Sequence, residues 1–171
     1  TNIGAYAFYD CDSLTDITIP DGVTIIGDYA FEECSWLVSI GLPDSVITIG
    51  ERAFGYCTSL QSITIPNSVT CIKDCTFFEC SSLISVTISD GVTKIGSGAF
   101  SGCESLTSIT LPDGVTRIGS GAFYDCKLLT DITIPDSVHY VGHFTFYGCS
   151  SLTDIFIPES VTCIGNNAFY D

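Results

Sequence analysis

The sequence predicts a repeat solenoid, a fold in which similar chain segments stack as successive coils. Three observations predict it. One 23-residue line, I-G-x-x-A-F-x-x-C-x-x-L-x-x-I-x-I-P-D-x-V-T-x, runs through all 171 residues. Its period contains no insertion or deletion, and both Phe and Cys recur at that spacing throughout. A fixed period of this size is typical of coils that bury their apolar faces only against their neighbours. The recurring phenylalanines are Phe8, Phe31, Phe54, Phe77, Phe100, Phe123, Phe146 and Phe169.

Within each coil the pattern predicts a short helical turn followed by strands and a tight turn. In residues 28–37, apolar side chains fall at i, i+1, i+4 and i+7, which is one face of a helical turn. Asp28 stands just ahead, where a carboxylate accepts hydrogen bonds from free amides at a helix start. Residues 39–42 then alternate as a half-buried strand, residues 43–45 form a Pro-Asp turn, and residues 46–49 give a second extended stretch. The sequence thus predicts about seven coils with parallel strands, in a single domain over residues 1–171.

The charge balance excludes two classes of partner. The chain has 20 acidic and 5 basic residues, for a net charge of −15. A nucleic-acid binder needs a basic surface, so we expect no nucleic-acid partner. The same charge disfavours docking on anionic lipid. No run of 18 apolar residues occurs, so we expect no membrane insertion by this segment.

The two ends of the chain repeat each other. Residues 1–10 and residues 162–171 align, so the repeat is cut at the same phase at both ends. Solenoids normally carry terminal coils with a polar outer face, and neither end departs from the line in that way. We interpret the chain as an internal segment of a longer protein. End-to-end stacking of copies is the alternative.

The full line resembles one known repeat family. Leu14-x-x-Ile17-x-Ile19 is similar to the L-x-x-L-x-L signature of leucine-rich repeats. With I-G-x-x-A-F-x-x-C before it and I-P-D-x-V after it, the line resembles the BspA-like class over the whole chain. The usual Asn is replaced by Gly or Ser, as at Gly22 and Ser45. The resemblance implies a right-handed solenoid and a surface or secreted protein. Its implied function is adhesion to an extracellular protein or glycan ligand.

Ten cysteines raise the question of disulfides. Seven share the position of Cys34, beside Phe and Leu at an inward spacing, which favours a ladder of buried free thiols. Cys71, Cys75 and Cys163 stand apart, and a Cys71–Cys75 pair is an alternative. We expect no structural disulfide.

The sequence carries no catalytic motif. It lacks G-x-S-x-G, a phosphate-binding loop and EF-hand spacing, so we expect no enzymatic activity and no cofactor. A zinc site of His139, His143 and Cys163 is a remote alternative. A Thr ladder, as at Thr64 and Thr87, is similar in one column to ice-binding solenoids, but Thr is also the usual residue of exposed strands.

A mostly acidic column runs along the turns of the coils, directly after the proline in most of them. Like charges one strand spacing apart repel, and a shared Ca²⁺ ion would relieve that repulsion. Hydrogen bonding of each Asp to its own turn explains the column equally simply. The aspartates of this column are Asp21, Asp44, Asp90, Asp113 and Asp136.

Departures from the repeat are the candidate functional residues, because the constant positions serve the core. The richest departures lie in residues 139–147, a run rich in aromatic side chains, and at Phe156, which stands where Thr is the rule. Exposed aromatic side chains commonly anchor protein partners. The predicted partner-binding residues are Trp36, Tyr140, Phe144, Tyr147, Asp154 and Phe156. We therefore predict a non-enzymatic adhesion module located at the cell surface or outside the cell. The alternatives are an end-to-end filament and a repeat appendage of a larger enzyme.

Overall fold

The computed structural model describes residues 1–170 as seven stacked coils and the first part of an eighth. We number coil 1 from residue 1 and begin a new coil every 23 residues. Every coil carries a first short strand, and coils 1–6 also carry a second. The first strands are β1 (Asn2–Ile3), β3 (Ile25–Ile26), β5 (Thr48–Ile49), β7 (Cys71–Ile72), β9 (Lys94–Ile95), β11 (Arg117–Ile118), β13 (Tyr140–Val141) and β14 (Cys163–Ile164). The second strands are β2 (Asp16–Thr18), β4 (Ser39–Gly41), β6 (Ser62–Ile65), β8 (Ser85–Ile88), β10 (Ser108–Thr110) and β12 (Asp131–Thr133).

The strands stack into two parallel sheets. The first strands form sheet A, which has two parts with the orders β1-β3-β5 and β14-β13-β11-β9-β7. The second strands form sheet B, with the orders β2-β4-β6-β8 and β10-β12. Paired residues are 23 apart, as in Ile109 with Ile132. The predicted parallel-strand solenoid is therefore confirmed, with one coil per repeat.

The predicted helical turn is wrong. In coil 2 the amides of Tyr29, Phe31 and Glu33 each donate to a carbonyl oxygen of coil 3 at 2.8 Å. The amides between them close turns by bonding three residues back, as Glu32 does to Tyr29. Tyr29 and Glu33 have φ values of 58° and 62°, which no right-handed helix contains. A helix would need all of these amides for hydrogen bonds along its own axis. Here every second amide donates to the next coil instead. No helix occurs in residues 1–170, so none is long and apolar enough to cross a membrane.

Asp28 acts between coils rather than at a helix start. Its Oδ1 accepts a hydrogen bond from the backbone N–H of Glu51, the equivalent residue of coil 3, at 2.8 Å. Asp74 accepts from Ser97 in the same way at 2.7 Å. The amide at this position has no partner within its own turn, so an acceptor from the preceding coil satisfies it.

The core is a row of equivalent layers between the sheets and the turns. Neighbouring Phe rings of the repeat stack with centroids 5.0–5.6 Å apart and planes within 12° of parallel. Ile, Val, Ala and Leu of each coil pack around these rings. Because each layer touches only the layers beside it, stability is a sum of coil-to-coil contacts.

The buried cysteines form hydrogen bonds as well as filling space. Each of six thiols lies 3.0–3.3 Å from the backbone carbonyl oxygen of the Phe 26 residues earlier, in the preceding coil. No disulfide forms among the cysteines of residues 1–170. The predicted ladder of buried thiols is confirmed for six of its seven members, while Cys11 is only partly buried. Each of the six adds a weak S–H donor that links two coils. These six residues are Cys34, Cys57, Cys80, Cys103, Cys126 and Cys149.

Sheet A is interrupted where the repeat loses a glycine. The residue after each first strand is Gly in every coil except coil 4, which has Lys73. A Cβ placed on Gly119 would meet the Ser97 backbone nitrogen at 2.5 Å, so this position lies directly against the preceding coil. Gly96 and Gly119 each donate a backbone hydrogen bond to the preceding coil, and within residues 1–170 Lys73 makes no such bond. Sheet A divides between β5 and β7, since the Cβ of Lys73 holds coils 3 and 4 apart.

Lys73→Gly is therefore expected to join the two parts of sheet A and to stabilise the protein by about 1 kcal/mol. The gain comes from relieved crowding and one recovered hydrogen bond, less the backbone entropy of a glycine. The Lys73–Asp28 ion pair is lost, but it is exposed, with its atoms 3.6 Å apart, and contributes little. Urea denaturation measures the change in the free energy of unfolding.

Two variants control this prediction. Lys73→Ala removes the same charge but keeps the Cβ, so it is expected to give no gain. Gly119→Ala creates the same crowding in an intact region and is expected to cost roughly 2–3 kcal/mol. Equal stability of the Lys73→Gly and Lys73→Ala proteins would show that the Cβ is not what divides the sheet.

Candidate functional site

The predicted partner-binding residues lie on different faces of the solenoid. Trp36, with 64% of its side chain exposed, lies in coil 2. Phe156, at 73% exposed, lies in coil 7 beside Thr133 of sheet B and shares a shallow depression there with Asp154. Tyr140 lies in sheet A. The structure therefore does not assemble these four into one site.

Tyr140 is engaged within the molecule. Its ring lies under the guanidinium of Arg117, the adjacent residue of sheet A, with 4.6 Å from Cζ to the ring centroid. The side chain is half-buried. A cation–π contact of this kind orients both groups, so Tyr140 is a weaker partner anchor than its sequence context suggested.

Phe144 and Tyr147 do lie together, on a third face that we call the turn face. The turn face consists of residues 5–10 and their equivalents in later coils. The two rings have centroids 6.0 Å apart. Tyr147 stacks between Tyr124 at 4.9 Å and Tyr170 at 5.2 Å. The three tyrosines form a ladder along the turn face with one ring per coil, as the buried Phe rings do in the core.

The tyrosine ladder stops at a depression in the turn face. The position before Tyr124 in the ladder is Ser101. Beside it, Gly98 and Gly121 occupy a position that carries an aromatic ring at Phe144 and in coils 1 and 2. Small side chains in coils 5 and 6 thus leave an open space of about 490 Å³. We call this space the turn-face depression. Its lining is Gly98, Ser101, Ser120, Gly121, Tyr124, His143 and Phe144.

The two glycines are compatible with the backbone of this face. Gly98 has φ of 60° and Gly121 of 61°, and the equivalent residues Tyr29 and Phe144 hold 58° and 56°. The left-handed conformation is therefore a property of the position and not of the residue. Glycine adopts it without strain, while bulkier residues are held in it by the bonds between coils.

His143 lines the depression and can donate a hydrogen bond from its Nε2. Its Nδ1 accepts a hydrogen bond from the backbone N–H of Asn166 at 2.8 Å. An accepting Nδ1 carries no proton, so in the neutral ring the proton lies on Nε2. The same bond removes His143 Nδ1 from the zinc site considered with His139 and Cys163.

Metal ligands do not converge in the part of the chain that the structure describes. Among residues 1–170, no three His, Cys, Asp or Glu side chains are placed to hold a metal ion. The calcium interpretation of the acidic column after the prolines stays an untested prediction. In that column Asn67 Oδ1 accepts a bond from the Gly91 amide of the next coil at 3.1 Å, rather than from its own turn.

Most of the five cations are already paired. Lys127 lies 2.6 Å from Glu104, and Arg52 lies 3.0 Å from the buried Glu32. The hydrogen bond that Lys127 donates to the Glu104 carboxylate raises the pKa of Lys127 above its ordinary value. Among residues 1–170, no charged side chain lines the turn-face depression. Any ligand held there is therefore recognised by shape, ring contacts and neutral hydrogen bonds.

Sequence reasoning missed Tyr124, Ser101 and the two glycines. It searched for bulky departures from the repeat, whereas the depression arises where small residues replace bulky ones. The signal was present in the sequence, because Gly98 and Gly121 follow Tyr6, Tyr29 and Arg52 at the same position. A search for small residues at otherwise bulky positions would have found it.

The comparisons with known proteins agree with the fold. A family model described as "BspA type Leucine rich repeat region" matches six copies, over residues 1–128 and 72–171. No curated protein matches the chain. The T. pallidum leucine-rich repeat protein is 37% identical, with a TM-score of 0.83 over 90% of this chain and 72% of that one.

Two further solved structures extend the likeness. A leucine-rich repeat protein from Bacteroides ovatus is 35% identical, with a TM-score of 0.82 over 96% of this chain. The match covers 48% of the Bacteroides protein, so the chain spans about half its length. A "leucine rich cell surface protein" from Faecalibacterium prausnitzii is 26% identical, with a TM-score of 0.50 over 89% of this chain and 62% of that one.

Proposed function

The chain belongs to the BspA-type leucine-rich-repeat family, and on that premise we propose that it is a non-enzymatic adhesion module. It is displayed at the cell surface or secreted, and it binds a partner outside the cell through its turn face. Family membership supports a repeat module that contacts other molecules, and the aromatic residues of the turn face support that face as the contact surface.

The observation that carries this proposal is the cluster of aromatic side chains around the turn-face depression. In coils 6–8, Tyr124, Phe144, Tyr147 and Tyr170 lie side by side, and Phe144 and Tyr170 are 40% and 57% exposed. Exposed aromatic clusters are typical of binding surfaces. These rings lie outside the core, which is filled by the repeated Phe, Leu and Ile side chains.

One observation favours a location outside the cell. The F. prausnitzii relative is described as a cell surface protein. Antibody labelling of intact cells of the source organism tests this location, and labelling only after permeabilisation would contradict it.

Adhesion is tested with fluorescent beads coated with the chain and washed over cultured epithelial cells. The variant Phe144→Ser/Tyr147→Ser is expected to lower bead retention roughly tenfold, which corresponds to the loss of a modest binding hot spot. Soluble chain is expected to displace the wild-type beads.

A matched control separates the turn face from hydrophobicity in general. Leu128→Ser removes another exposed apolar side chain, 52% exposed, at a position where Ser is usual, and it is expected to leave retention unchanged. Circular dichroism establishes that each variant is folded. Retention of wild-type beads no better than of uncoated beads would contradict the adhesion function. Concentration-dependent polymerisation in place of adhesion would favour the filament alternative.

A further inference from the structure

The tyrosine ladder ends with one ring face uncovered. Tyr147 covers one face of Tyr124 at 4.9 Å, with planes 2° from parallel. On the other side, toward coil 5, the next member of the ladder is Ser101, which has no ring. Ser101 and Tyr124 both line the turn-face depression. The depression therefore contains the place where a further stacked ring would lie.

The space around that place is large enough for a ring-shaped ligand. Its volume of about 490 Å³ falls within the range of small-molecule sites. Gly98 and Gly121 line this space and carry no side chain. Phe144, which is 40% exposed, forms a second aromatic wall.

The polar groups at the depression carry no charge and can still form hydrogen bonds with a ligand. Within residues 1–170, neither the Ser101 hydroxyl nor the Ser120 hydroxyl makes a hydrogen bond. His143 offers its Nε2, since its Nδ1 is occupied by the Asn166 amide. Two hydroxyls and one imidazole can both donate to and accept from a ligand rich in hydroxyl groups.

We propose that the turn-face depression binds a neutral pyranose residue of a glycan. The apolar C–H face of the sugar stacks on the open face of Tyr124, where the electron-rich ring attracts partially positive hydrogens. The sugar hydroxyls bond to Ser101, Ser120 and His143. An aromatic side chain would also stack on Tyr124, but it would leave these polar groups unpaired. This inference rests on the proposed adhesion function, for which it names the ligand class.

Ser101→Tyr tests the site without unfolding the protein. The substitution places a ring where the ladder lacks one, at a position that already carries Phe78, Tyr124 and Tyr147 in other coils. We expect its melting temperature to equal or exceed that of the wild type. The matched control is Ser13→Tyr, an exposed position where Trp36 and Leu128 occur in other coils.

Binding is measured by saturation-transfer NMR with methyl glycosides of glucose, galactose, mannose and N-acetylglucosamine. At least one glycoside is expected to bind the wild type and the Ser13→Tyr variant with an affinity near millimolar. Ser101→Tyr is expected to weaken that binding at least tenfold. Failure of every glycoside to bind the wild type, or equal binding by Ser101→Tyr, overturns the inference.

The bead assay separates this inference from the adhesion function. Wild-type beads that adhere, but are not displaced by any glycoside, overturn the sugar site and leave adhesion standing. Glycoside binding by a chain whose beads do not adhere supports the sugar site and overturns adhesion.

Discussion

Raising the pH above about 9 is expected to destabilise the solenoid steeply through its buried thiols. Burial raises the pKa of the Cys57, Cys80, Cys103 and Cys126 thiols above their ordinary value, and it raises that of Cys34 to about 11. The thiols therefore stay protonated in the folded protein at a pH where the unfolded chain, with an ordinary thiol pKa near 8.5, loses its protons.

The sign of the effect follows from which state holds more protons. Below the unfolded pKa both states are protonated, and the thiols do not make stability depend on pH. Above it the folded protein binds the extra protons, so the free energy of unfolding falls as the pH rises. Each thiol contributes about 1.4 kcal/mol per pH unit, so four fully buried thiols contribute roughly 5 kcal/mol per unit. The loss continues until the pH reaches the folded pKa values.

Urea denaturation at pH 8, 9 and 10 in the presence of a reductant measures this slope. Cys103→Ala is expected to reduce the pH dependence of the free energy of unfolding by the contribution of about one proton. It also lowers stability at pH 8, because it removes a core atom and its bond to the Phe77 carbonyl. Cys163→Ala alters an exposed thiol, so it is expected to leave the slope unchanged. Stability that does not vary between pH 8 and pH 10 would show that the ladder thiols are not protected from water.

The sequence predicted the inward positions but not the path of the backbone between them. Phe31, Cys34 and Leu37 are all buried, as their spacing indicated. A helix would place these three side chains on one side of the backbone. The observed series of turns, in which alternate amides bond to the next coil, does the same. Apolar periodicity reports which side chains face inward and does not report where the amides donate. The left-handed φ values of Tyr29 and Glu33 are set by the neighbouring coil, so no local sequence pattern could predict them.

The candidate site was predicted only in part for a related reason. Phe144 and Tyr147 were identified as aromatic residues in the segment that departs most from the repeat, and the structure places them together. Trp36 and Phe156 satisfied the same criterion but lie elsewhere, because position along the repeat fixes the face of the solenoid and departure from the repeat does not. The depression exists because positions such as Ser101 carry small side chains. It can be recognised only when neighbouring coils are compared position by position. Trp36, Tyr140, Asp154 and Phe156 stay predictions as partner-binding residues.

Phe100→Ala is expected to lower the free energy of unfolding by about 3–5 kcal/mol. Phe100 has no exposed surface, and its ring lies 5.4 Å from that of Phe77 and 5.5 Å from that of Phe123. Truncation removes the transfer free energy of the ring, opens a cavity and breaks two aromatic contacts. The strands and turns around it are fixed by bonds to both neighbouring coils, so they cannot close the space.

The position of Phe100 in the stack makes its loss cost more than the loss of an outer ring. Phe8 is only partly buried, and of the stacked rings only Phe31 lies beside it, at 5.0 Å. Phe8→Ala is therefore expected to cost about half as much, because one coil-to-coil contact is weakened instead of two. Urea denaturation followed by far-ultraviolet circular dichroism measures both variants. Since coils communicate only with their neighbours, Phe100→Ala is also expected to broaden the transition as coils 1–4 and 6–7 begin to unfold separately. Equal losses for the two variants, with transitions as sharp as that of the wild type, would contradict nearest-neighbour stability and would require that the whole stack responds as one unit.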